Sequence, residues 1–159
     1  MSRDSEQDEQ DTRDRVSALY GERLLPPVGQ LLGTLSGLLV KESALALLLV
    51  DATSLLEIER LYGARAFRTS LDSLTQRVRT RVTREVGDEV VVTSGALEEE
   101  HVLVFIPRPR TESLFFLHDL PHLAEELRSY VAMCLKRIVY PYLQERPEVP
   151  IGTGFVLHR

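Results

Sequence analysis

Cysteine occurs once in the 159 residues, at Cys134, so the chain cannot close a disulfide on itself and suits a reducing, cytoplasmic compartment. A basic excess is missing too. With 19 Lys and Arg against 24 Asp and Glu, the formal charge is -5. Such a chain has no surplus of cations to release counterions from a nucleic acid or to hold a membrane surface. The longest apolar run, Ala44 to Val50, falls far short of the roughly 20 residues that span a bilayer. Met1 to Asp14 is acidic and polar, where a secretory leader would be basic and then apolar. There is no glycine-rich phosphate loop, no nucleophile beside a histidine and a carboxylate, and no internal repeat. Gly33 and Gly37 stand in a leucine-rich segment too short for a membrane helix, and read as close helix packing.

What is present is the composition of one globular domain, 43% hydrophobic and 27% charged, enough for one core. Met1 to Thr12 has almost nothing to bury and reads as a disordered acidic tail or linker. From Arg13 a helix is expected through Leu24 and Leu25, broken by Pro26 and Pro27, with a second from Val28 to Val40. Ala44 to Val50 reads as a strand buried on both faces, and it places Asp51 at its carboxyl end, a favoured ligand position in α/β sheets. Ser54 is expected to cap a short helix through Tyr62, with Gly63 ending it. Phe67, Leu71, Leu74, Val78 and Val82 then form the buried stripe of a longer helix.

Two apolar stretches, Asp88 to Thr93 and His101 to Ile106, flank the polar Ser94 to Glu100, as in a β-hairpin, and Pro107 and Pro109 are expected to end the second strand. From His122 to Tyr140, Leu123, Leu127, Val131, Cys134 and Ile138 share one helical face, with Cys134 as a buried thiol. Pro141 and Pro147 close that helix, and Val149 to Leu157 reads as a last strand. The sum is an α/β (α+β) domain. Arg77, Arg81 and Arg84 would line the outer face of the long helix, either as a docking surface for an acidic partner or as a solvated face. Tyr130, Met133, Arg137 and Tyr140 have the composition of an interface, although core packing accounts for them equally. His118 and His122 supply only half of a zinc shell.

Four stretches share an order with a known family. They are DRVSALYGERLL (Asp14 to Leu25), LLLVDATSLLEIERLYG (Leu47 to Gly63), EEEHVLVFIP (Glu98 to Pro107) and PIGTG (Pro150 to Gly154). Together they resemble the GGDEF domain of diguanylate cyclases, which join two GTP molecules into cyclic di-GMP in bacterial signalling. The resemblance implies a mixed, largely antiparallel sheet flanked by helices, spanning residues 13 to 159. The family continues past its last matched strand into another helix and strand. The expectation is therefore a fragment of a longer protein.

Matched to the family, the nucleotide and metal positions are altered. Its metal-binding Asp-x-Asp turn falls on Asp51 and Thr53, and the acidic third place of the signature on Glu100. Asp51 and Glu100 would hold magnesium if any were held; read as residues alone, one ends a strand and the other belongs to a solvated acidic run. The guanine-reading places fall on Glu59 and Arg60, the phosphate-side lysine on Leu56, the two signature glycines on Glu98 and Glu99, and the fourth signature place on His101. Two carboxylates in place of glycines would repel a triphosphate and obstruct its approach. In another register the hairpin turns at Ser94, Gly95 and Ala96, and Glu98 to Glu100 begin the returning strand. The expectation is an inactive, degenerate module without a cofactor, acting on a protein partner, on another domain of its own chain or as a homodimer. The alternative is a non-catalytic sensor of GTP or cyclic di-GMP.

Overall fold

The computed structural model describes residues 25–159; the expected tail over 1–12 and the helix from Arg13 lie outside the described residues. A single 3-10 turn, Val28–Leu31, precedes helix α1, Leu32–Glu42. The helix begins later than the expected Val28 because Pro27 is extended and no side chain caps the first turn. Ser43 ends α1 in the left-handed region, at φ 76°, and donates its N–H to the Leu39 carbonyl. That sharp reversal lets strand β1, Ser43–Asp51, start at once. A left-handed residue with a Cβ is strained by about 1 kcal/mol. Ser43→Gly is therefore expected to raise the free energy of unfolding by up to about 1 kcal/mol, read from urea denaturation midpoints.

The other strands are β2 (Val91–Ser94), β3 (His101–Pro109) and β4 (Ile151–Leu157). They form one sheet in the order β2-β3-β1-β4, antiparallel at every pair. Helices α2 (Leu56–Tyr62), α3 (Ala64–Val86) and α4 (Leu120–Val139) follow the chain around it. Ala44, Ala46, Leu48 and Val50 point to one face and are fully buried, in a single core with Val102, Val104 and Ile106 of β3 and the apolar stripes of α3 and α4. The long-helix stripe falls as its periodicity indicates: Phe67, Leu71, Leu74, Val78 and Val82 are all buried.

Three expectations about burial and strand ends are corrected. β1 is buried on one face only, since Leu45 alone is buried on the other while Leu47 and Leu49 are half-buried. On that side α1 contacts β1 and β3, and an unbroken apolar run looks the same whether its second face is wholly or partly covered. β3 runs through Pro107 and ends, as expected, at Pro109; the two prolines pair with Leu45 and Ser43. β2 reaches only as far as Phe105, so beyond it β3 has an open side towards which a proline, lacking its N–H, does no harm. Cys134 is half-buried at the margin of α4, and Leu135 takes the core place expected of it. Among the described residues no helix is long and apolar enough to cross a membrane.

Candidate functional site

Three strand ends and one helical turn meet at a corner of the sheet. Asp51, the last residue of β1, stands opposite His101, the first of β3. The Asp51 N–H donates to the Pro150 carbonyl at 2.9 Å, and the Ala52 N–H to the Glu100 carbonyl at 2.9 Å. The corner thus joins the lead-in to β4 with the β2–β3 loop. Ser54 does not cap α2 as expected: no side chain does, and its hydroxyl instead donates to the Glu148 carbonyl at 2.7 Å. A 3-10 turn, Thr53–Leu55, leads into the helix, and the Asp51 carboxylate is what organises it. Asp51 Oδ1 accepts from the Thr53 N–H at 3.0 Å and from the Thr53 hydroxyl at 2.5 Å. Asparagine and aspartate commonly close such local turns.

His101 stands between two acids, with Nε2 3.7 Å from Asp51 Oδ1 and Nδ1 3.9 Å from Glu98 Oε2. The Thr53 hydroxyl, opposed by partial desolvation and assisted by the Thr53 N–H and the nearby His101, holds the Asp51 carboxyl below its usual pKa. A depressed folded-state pKa stabilises the fold above the unfolded value, and that stabilisation disappears as the pH falls through the lower folded value. Asp51→Asn is accordingly expected to lower the melting temperature at pH 7, by an amount that shrinks below about pH 4. Thermal unfolding of both proteins across that range checks it; a constant difference would contradict the assignment.

Asp51 Oδ1 already accepts two hydrogen bonds, and a histidine nitrogen stands beside it. Glu100 adjoins it through the backbone, yet among the described residues no three of His, Cys, Asp and Glu gather closely enough to hold a metal. On α2, Arg60 is exposed and forks onto Glu57, Nε at 2.9 Å and Nη2 at 2.5 Å. That contact holds the Glu57 carboxyl below its usual pKa. Glu59 is exposed, and Leu56 is half-buried against the core. Glu59 is a carboxylate acceptor with no amide N–H to donate, and Arg60 is a donor with no acceptor.

The β2–β3 loop resolves the register. β2 ends at Ser94 and β3 begins at His101, so Glu98, Glu99 and Glu100 lie in the loop and do not begin the returning strand. Gly95 closes the loop by donating its N–H to the His101 carbonyl at 2.8 Å. It is buried, and a Cβ there would lie 2.9 Å from the Glu98 carbonyl oxygen and 3.2 Å from the His101 Cβ. The arginine stripe is also relocated. Arg77 Nη1 lies 3.6 Å from Cys134 Sγ, and the Arg81 guanidinium lies 5.2 Å from the Tyr130 ring centre, so both occupy the seam between α3 and α4. Of the three, Arg84 alone is exposed. A contact stripe across two helices looks like a solvated face when one helix is read by itself. The roles of the Glu148 and Pro150 carbonyls carry no sequence signal, because backbone acceptors leave none.

No family model and no curated protein sequence matches the chain. Solved structures do. The chain is similar to an N-terminally truncated form of TpbB (YfiN) from Pseudomonas aeruginosa comprising only its GGDEF domain, at 18% identity over 84% of this chain and 71% of that one, with a TM-score of 0.56. It is also similar to the diguanylate cyclase SiaD of the same organism, in complex with its activator SiaC, at 18% identity over 99% of this chain, with a TM-score of 0.59. The chain spans 58% of that SiaD chain. The helices and four-stranded antiparallel sheet are those of the GGDEF cyclase-like fold.

Proposed function

We propose that the chain is a catalytically inactive, GGDEF-like module of bacterial signalling that acts by contacting a protein, whether a separate factor, another domain of its own chain or a second copy. The observation that carries this reading is the closed corner at Asp51. Its carboxylate accepts both hydrogen bonds that Thr53 offers, with the His101 ring between it and Glu98. A metal-bound triphosphate would have to compete with Thr53 for Asp51 Oδ1 and would be received best by a neutral loop. The loop instead brings Glu98 and Glu99, whose charges oppose phosphate. Arg60, committed to Glu57, and Leu56, turned into the core, support the same reading from the helix side. The SiaD fold is held with a protein activator, so this scaffold is compatible with regulation through protein contact.

Incubation with GTP and magnesium is expected to yield no cyclic di-GMP above a protein-free control. Product that disappears in Asp51→Ala would overturn the inactive assignment. The partner half of the reading is tested by affinity purification of the full-length chain from its own cells. A single protein eluting in stoichiometric amount is expected; an empty eluate together with monomeric behaviour would count against it. A sensor of GTP or cyclic di-GMP is the second reading, favoured by the ionised Asp51 beside Glu100.

A further inference from the structure

The segment after α4 returns along that helix and leaves a groove between them. A cavity of about 400 Å³ has Val131, Leu135 and Val149 as its apolar lining and Arg128, Arg146 and Glu148 among its polar groups. A second, of about 470 Å³, adjoins it through Ala132 and Arg146 and adds Met133, Lys136 and Gln144. Met133 is 78% exposed. An exposed methionine that shares a groove with an arginine is a pairing enriched at protein interfaces.

The charge of the groove runs against that of the chain. Neither Lys136 nor Arg146 has a carboxylate within ion-pair distance among the described residues. Arg128 is shared between Glu125 and the Ile151 carbonyl. Glu148 is the one acid in the lining of either cavity, against three cations. Arg146 Nη1 donates to the Ala132 carbonyl at 3.1 Å, which pins the segment to α4 and preforms the groove, so a ligand has little ordering left to do. Arg128 and Lys136 are two helical turns apart, about 12 Å, the reach of roughly four extended residues.

We infer that this groove docks an extended acidic peptide of the protein partner, seating an apolar side chain against Met133 and pairing alternate carboxylates with Arg128, Arg146 and Lys136. The inference rests on the protein-contact reading above and adds where and by what chemistry that contact is made. Excess positive charge sets the sign of the ligand, and the exposed Met133 gives it an apolar contact.

The probe is a fluorescein-labelled synthetic peptide in which glutamates alternate with leucines, titrated with the full-length protein and read by fluorescence anisotropy. Saturable binding is expected, weakened at least about tenfold by Lys136→Glu and by Met133→Glu, weakened by salt, and unchanged by Arg79→Glu on the exposed face of α3. Both groove variants replace exposed side chains, and matching circular dichroism shows that they fold. No binding, equal binding by the groove variants, equal binding of a lysine–leucine peptide, or equal binding of a short single-stranded DNA would each overturn the inference. If the co-purified partner still binds Lys136→Glu and Arg146→Glu at full strength, this inference fails while the protein-contact reading stands.

Discussion

Leu48→Ala is expected to lower the free energy of unfolding by about 3 kcal/mol, enough to unfold a marginal domain at physiological temperature. Leu48 sits midway along β1, fully buried, with Val104 opposite on one side and Thr153 on the other. β1 is a central strand of the sheet, and α3 and α4 share the core on that face. A truncated side chain there leaves a cavity bounded by two strands and two helices, and the sheet cannot move inward to fill it. Leu47→Ala is the control. It is the next residue on the same strand but faces the half-covered side, and its cost is expected to stay near 1 kcal/mol. Urea denaturation of the two variants separates them; equal costs would contradict the one-sided burial of β1.

Gly95→Ala is expected to destabilise the protein by about 1 to 3 kcal/mol and to disorder the β2–β3 loop. A new Cβ at 2.9 Å from the Glu98 carbonyl oxygen meets backbone, which cannot rotate away as a side-chain tip would. Relieving the clash requires the loop to shift. That strains the Gly95 N–H to His101 carbonyl bond and the position of the His101 ring beside Asp51. The loss is checked by thermal unfolding and by nuclear magnetic resonance of the His101 and Thr53 amides. Unchanged shifts at Thr53 with changed shifts at His101 would uncouple the loop from the Asp51 turn.

The architecture was legible where periodicity and punctuation agree. The stripe from Phe67 to Val82 fits a single helix, and Gly63, at φ 94°, separates α2 from α3 as its sequence position suggests. Patterns that depend on what lies opposite were less readable. Arg77 and Arg81 read as solvated until α4 places Cys134 and Tyr130 against them. Pro107 reads as a strand end, yet β3 runs on to Pro109, because a sequence does not state how far the neighbouring strand extends.

The candidate site divides in the same way. Asp51 at the end of an apolar strand, and the acidic run from Glu98 to Glu100, are visible in sequence as residue types. What the fold adds around them is geometric: Thr53 turned back onto Asp51, His101 between two acids, and Ser54 tied to a carbonyl 94 positions away. Those contacts depend on strand register and on a long-range return of the chain, and neither is encoded at any one position.

Isothermal titration of the full-length protein with GTP and magnesium asks whether the corner at Asp51 binds nucleotide, as the proposed function denies. No saturable heat is expected up to millimolar ligand, in the wild-type chain and in Asp51→Ala alike. Saturable heat in the wild type that vanishes in Asp51→Ala would contradict that reading.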